Sequence, residues 1–134
     1  MKKTCGAIIV LFCILLNTVI PISASEFSLH WANVVRITHD ITFSDGVGTY
    51  SVLIEGNREV TLIIANAKLY YKNAASSWVD TELVWDYNKT SNRLSFSENF
   101  KATMGIEYKV VLTLIAYQDV GEAITETIVK QYKY

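Results

Sequence analysis

No cysteine follows Cys13 and no proline follows Pro21 in this chain. The first absence excludes disulfide staples, thiolate nucleophiles and cysteine-held metals from everything downstream. The second means that no strand there loses a ladder donor. Histidine is nearly as scarce, with only His30 and His39. The five glycines after Gly6 are dispersed, and no phosphate-cradling loop, Gly-x-Ser-x-Gly elbow or His-Glu-x-x-His helix occurs. Asp86-Tyr87-Asn88 comes nearest to a calcium loop and is too sparse in oxygen ligands. Thirteen acids supply many carboxylate pairs, but no spacing selects one for glycoside hydrolysis. Basic charge is also lacking. The formal net charge is −1, and without Lys2 and Lys3 ten basic residues face thirteen acidic ones, a net of −3. No footprint for nucleic acid exists. The expectation is a non-enzymatic protein with no cofactor, no metal and no nucleic-acid partner.

What the sequence does contain begins with a leader. Met1-Lys2-Lys3 is a short positive start, and Gly6 to Ile20 is apolar except for Asn17 and Thr18. Pro21-Ile22-Ser23-Ala24 then breaks the run with small residues. This is the layout of a secretory signal peptide over residues 1–24, cleaved after Ala24 or Ser25. The competing reading, an uncleaved anchor, needs about 20 apolar residues, and the run is shorter. Cys13 follows Phe12 rather than a small residue, which disfavours a lipoprotein. The expected location is therefore secreted, extracellular or surface-associated, with no membrane contact after cleavage. A cysteine-free exported domain suggests a bacterium, where Asn88-Lys89-Thr90 is only a polar turn.

Residues 25–134 are long enough for one domain and too short for two. Their texture alternates. Val35, Ile37, His39, Ile41 and Phe43 share one parity, the mark of a half-buried strand. Asp45-Gly46, with Gly48, forms a turn, and Tyr50, Val52 and Ile54 a second strand. From Val60 to Lys72, Ile63, Ala65, Ala67, Leu69 and Tyr71 oppose Leu62, Ile64, Asn66, Lys68 and Tyr70; a helix is the alternative there. Further strands run over Trp78 to Tyr87, Arg93 to Phe100, Tyr108 to Ala116 and Ala123 to Tyr132. No sustained 3.6-residue period, internal repeat or low-complexity tract is found. About seven strands with evenly spaced turns predict an all-β fold, a single immunoglobulin-like or fibronectin-III-like antiparallel β-sandwich preceded by a cleaved signal helix. Tyr108, just after Gly105-Ile106-Glu107, is either a tyrosine corner or a plain core residue.

The strand ending Lys68-Leu69-Tyr70-Tyr71-Lys72, the loop into Ser76-Ser77-Trp78, the later Trp85, Gly105 with Tyr108, and the closing Glu126-Thr127 resemble a family of short signal-peptide-bearing secreted proteins of unknown function from Gram-positive, largely anaerobic bacteria. The resemblance covers most of residues 31–134 and implies export and an immunoglobulin- or fibronectin-III-like sandwich. It implies no activity. Several members have arginine after the late-strand tyrosine, where this chain has Lys109.

His39 sits on an apolar parity. A general base or metal ligand is one reading, and a satisfied core or strand-edge histidine is the one expected. Aromatics are the enrichment: three Trp, eight Tyr and five Phe in the whole chain. Trp78 and Trp85 are an odd number of residues apart, so one regular strand points them to opposite faces. Trp85 shares parity with Leu83 and Tyr87 and is expected inside. Trp78, with Tyr70, is expected outside as a ligand-contact platform. The leading expectation is an extracellular interaction or adhesion module for a protein or wall component; the alternative is a carbohydrate-binding module using Trp78 and Tyr70. A third feature is the proline-free closing segment. It predicts weak self-association through an edge strand, with Glu122, Glu126 and Lys130 as guarding charges.

Overall fold

The computed structural model describes residues 31–134, within which Ala32–Tyr134 forms one compact unit. The leader read at residues 1–24, its cleavage point and His30 lie outside the described residues. Seven strands follow one another: β1 (Val34–Ser44), β2 (Val47–Gly56), β3 (Leu62–Lys72), β4 (Trp78–Lys89), β5 (Arg93–Lys101), β6 (Glu107–Tyr117) and β7 (Gly121–Gln131). All pairings are antiparallel, in one sheet ordered β1-β2-β5 and another ordered β4-β3-β6-β7. The expected all-β sandwich is what the chain forms. The fourth strand decides between its two variants. An immunoglobulin constant-type domain puts that strand on the first sheet, whereas β4 pairs with β3, the fibronectin-III-like order.

The segment that also admitted a helix is β3, and its alanines have a reason. Ala67 lies opposite Trp85 and Ala65 opposite Tyr87. A small side chain beside each large ring lets the inner face stay level. The Asp45-Gly46 loop is a two-residue hairpin turn with φ of 50° and 77° at its two positions, the geometry that matches strand twist. Gly48 is not part of it. It lies in β2 opposite Phe43 and Phe100, and an added Cβ would come 2.2 Å from Phe100 Cζ.

Two irregularities alter the expected parity. Val34 pairs with Gly56 and Arg36 with Glu55, so Val35 is a bulge residue. It is therefore exposed, and Val34 is buried in its place. In β4, Asp80 pairs with Tyr70 and Val84 with Lys68, so Thr81, Glu82 and Leu83 all oppose Leu69. Thr81 Oγ1 donates to the Leu69 carbonyl (2.8 Å), and Asp80 accepts from the Glu82 N–H (2.7 Å). Leu83 is thereby pushed into solvent rather than buried with Trp85. The insertion is two residues, an even number, so Trp78 and Trp85 still face opposite ways.

Between the sheets lies an unbroken series of ring contacts. Tyr87 stacks on Phe96 (4.2 Å between centroids), and Phe96 meets Tyr50. Tyr50 stacks on Trp85, and Trp85 meets Phe100. Phe100 contacts Tyr108, Tyr108 contacts Phe43, and Phe43 stacks on Tyr132 at 4.7 Å. Tyr108 is a tyrosine corner: its hydroxyl accepts from the Thr103 N–H at 2.8 Å. Tyr132, beyond the last strand, is buried, and its hydroxyl accepts from the Gly46 N–H.

The start of the unit is fixed by one carboxylate. Glu122 accepts from the N–H groups of Ala32 (2.6 Å), Asn33 (2.8 Å) and Val34 (3.3 Å). The buried Asn33 amide donates to the Ala116 and Val120 carbonyls.

Gly48→Ala forces a methyl into the Phe100 ring, which Trp85, Phe43 and Tyr108 prevent from moving. The expected cost is about 1–3 kcal/mol, read as a lowered urea midpoint with unchanged slope. Tyr108→Phe keeps the ring contacts and removes the corner bond, for a smaller loss of about 1 kcal/mol in the same titration.

Candidate functional site

The two outward sheet faces differ in kind. On β1-β2-β5 the outer rows hold Thr49 bonded to Asn99, Ser51 against Ser97, and Glu55 between Arg36 (2.8 Å) and Arg93 (3.6 Å). Val47, 42% exposed, shares that face. On β4-β3-β6-β7 the outer rows carry Ile64, Val84 and Val129, which are 39%, 40% and 46% exposed. Val111 and Ile115 lie between them, half-buried. Polar side chains are interleaved with them: the Asn66–Asp86 hydrogen bond (2.7 Å) and Thr113 separate Ile64 and Ile115 from Val84 and Val111, and Lys68 stands between those two.

Trp78 and Tyr70 sit at one end of this face, where strand register brings them together. Trp78 lies opposite Lys72, and Tyr70 lies between Asp80 on β4 and Lys109 on β6. Lys109 Nζ is 4.6 Å from the Trp78 ring centroid and 4.9 Å from that of Tyr70, and Lys72 Nζ is 5.3 Å from Trp78. Each such contact is worth about 0.5–1 kcal/mol at an exposed site. The expected aromatic pair is thus one cluster, but neither ring stands bare; both are half-buried. Sequence reasoning missed Lys72 and Lys109 as its members. Cross-strand register brings them over the rings, and the period of a single strand contains no sign of that.

Lys72 also pairs with Glu107 (3.2 Å), and the two border a shallow cleft of about 350 Å³ with Asn73, Gly105 and Gln131. A second depression, about 280 Å³, lies beside the β1 bulge between Val35, Glu55 and Arg93. Among the described residues no three His, Asp, Glu or Cys side chains are grouped to hold a metal.

His39 is placed on the inner side of β1, half-buried, its Nδ1 sharing a 3.0 Å hydrogen bond with the Tyr50 hydroxyl. Burial lowers its pKa, against the opposing pull of Glu126 and Asp40. Burial likewise pushes the Tyr50 hydroxyl upward. Asp40 is held low first of all by its hydrogen bond from Lys130 at 2.9 Å. Tyr87 donates to Glu98 across the opposite side of the sandwich, which raises its pKa. The His39 ring packs edge-on against Tyr50 and is hydrogen-bonded to its hydroxyl, an arrangement that suits a satisfied interior histidine.

No family model matches the chain, and no curated protein matches it. Among solved structures, wild-type OgpA from Akkermansia muciniphila is similar over 76% of this chain at 9% identity, with a TM-score of 0.42. The match spans 30% of that chain. The strand order, not this neighbour, defines the fold.

The lowered His39 pKa sets a pH dependence. The unfolded chain takes up its proton near pH 6.5, while the folded chain holds His39 neutral to lower pH. Stability is then complete above about pH 6.5 and declines as pH falls through the folded value. Thermal midpoints between pH 7.5 and 5 are expected to drop in the natural protein and to drop less in His39→Gln, which keeps a partner for Tyr50. An equal drop in both would assign the loss to other groups. Asp40 titrates below this window.

Proposed function

We propose that this chain is a non-enzymatic extracellular interaction module, exported by its leader, that contacts a protein or wall component through the outer face of the β4-β3-β6-β7 sheet. The observation that carries this is the contrast between the two outer faces. On the first, hydroxyl, amide and ion-pair contacts surround one exposed aliphatic, Val47; the second carries several aliphatic side chains among polar ones and ends in the Trp78–Lys109–Tyr70 cluster. Aromatic and aliphatic side chains with a cationic edge suit a protein surface bearing carboxylates. The resemblance to short exported Gram-positive proteins supports the secreted location and adds no activity.

A carbohydrate-binding module is the second reading. It is favoured by the cleft beside the cluster, where Asn73, Glu107 and Gln131 place amide and carboxylate groups near Trp78. Sugar stacking needs an open ring face, so the lysine ammoniums over Trp78 and Tyr70 have to swing away first. That requirement makes the protein-contact reading the stronger of the two.

Both are tested by presenting the purified protein to a glycan array and to Gram-positive cell-wall preparations while following tryptophan fluorescence. Saturable binding to one glycan, lost at least tenfold in Trp78→Ala with the melting temperature unchanged, supports the carbohydrate module. Array silence, with wall retention that Val84→Glu and Val129→Glu each abolish, supports the protein or wall contact. Retention indifferent to all three substitutions would place the contact elsewhere and overturn the proposed face.

A further inference from the structure

We propose that β7 is a self-recognition edge, through which two copies of this chain pair antiparallel and join their four-stranded sheets into one of eight strands. A sheet edge presents unpaired N–H and C=O groups, and proteins that stay apart interrupt such edges. Two of the four edges in this sandwich are irregular, and a third is short. β1 is bulged at Val35, and β4 carries a two-residue insertion with Glu82 at a φ of 67°. β5 is regular in its pairing with β2 but is the shortest strand, at nine residues, with Arg93 and Lys101 at its ends. β7 is longer than β5 and has neither a bulge nor an insertion. It pairs with β6 in unbroken register over eleven residues, and among the described residues no strand pairs with its other side.

The charges expected to guard β7 are turned away from that task. Glu122 is taken up by the N–H groups of Ala32, Asn33 and Val34. Lys130 is bound to Asp40 across on β1. Glu126 lies close enough to His39 to act on its charge. All three share the inner parity of Ile124. The outer parity is Ala123, Thr125, Thr127, Val129 and Gln131, without a charge. Thr and Val at such positions favour strand pairing.

The occupant is a second copy because the strand is complementary to itself. A two-fold axis normal to the sheet pairs residues of like parity, so both inner faces remain inner. Centred on Thr127, it sets Thr127 against Thr127, Thr125 against Val129 and Ala123 against Gln131 of the second copy. On the inner side Glu126 meets Ile128, and Ile124 meets Lys130. No like charges are opposed. Centring on Glu126 would put two carboxylates face to face, which disfavours that register.

Sedimentation equilibrium of the purified protein tests this from micromolar to millimolar concentration. The natural chain should show a reversible monomer–dimer equilibrium. The double variant Thr125→Lys/Thr127→Lys should stay monomeric throughout, with an unchanged circular dichroism spectrum. A monomeric natural protein at the highest concentration overturns the proposal, as does a dimer that survives both lysines. Should the double variant fail to fold, Thr127→Cys in a Cys5→Ser/Cys13→Ser chain decides. Under mild oxidation it should give a disulfide-linked dimer at least tenfold faster than Thr113→Cys on β6, and equal rates would overturn the pairing. Trp78→Ala and Val84→Glu, both away from β7, should leave the dimer intact, and these two variants separate the dimer result from that for the outer face.

Discussion

With no disulfide to join them, the two sheets depend on a layer of rings that runs between them from Tyr87 to Tyr132. Aromatic pairs in tilted or stacked contact add about 0.5–1.5 kcal/mol beyond the area they bury. Continuity matters as much as the sum, since the contacts run from one end of the sandwich to the other without a gap. Much of the inner surface is shaped around this layer. Ala65 and Ala67 lie opposite the large rings of Tyr87 and Trp85, and Gly48 leaves space for Phe100. The layer also accounts for the tail, because Tyr132 closes the series on Phe43 while its hydroxyl accepts from the β1–β2 turn.

This use of the aromatics narrows the search for a site. Most of the rings that composition alone offers as ligand contacts are structural. His39 belongs with them, edge-on to Tyr50 at 5.9 Å and hydrogen-bonded to its hydroxyl. Trp78 and Tyr70, joined by Lys109, point outward at one end of the four-stranded sheet, with Tyr117 on the same face and Tyr134 exposed at the tail.

The fold was legible because the polar outer face of β1-β2-β5 enforces a period of two and Asp45-Gly46 is an unambiguous turn. Legibility failed where strands are irregular. Neither the one-residue bulge at Val35 nor the two-residue insertion that ends at Leu83 changes the composition, so alternation alone places both side chains inside. The Trp78–Trp85 relation survived only because the β4 insertion is even. Contacts between distant parts of the chain were invisible for another reason. Nothing local to Glu122 signals that it holds residues 32–34, and nothing local to Lys109 signals two rings on neighbouring strands. Trp78 and Tyr70 could be named from parity, while the lysines that make them a cluster required the register of three strands.

The same long-range contacts connect stability to surface behaviour. A carboxylate that accepts three backbone N–H groups fixes the start of β1, and a lysine bound to Asp40 ties β7 across to the other sheet. Each contact uses an ionised side chain of β7 to hold the sandwich closed on that side. A side chain can point only one way, and those committed inward cannot repel an approaching strand. The chain therefore closes its fold along β7 with the charges that would otherwise have blunted that edge. The aliphatic rows of β3, β4 and β6 stand on the same sheet. Closing the sandwich without a disulfide thus draws on the charged side chains of β7, the strand at the free edge of the four-stranded sheet.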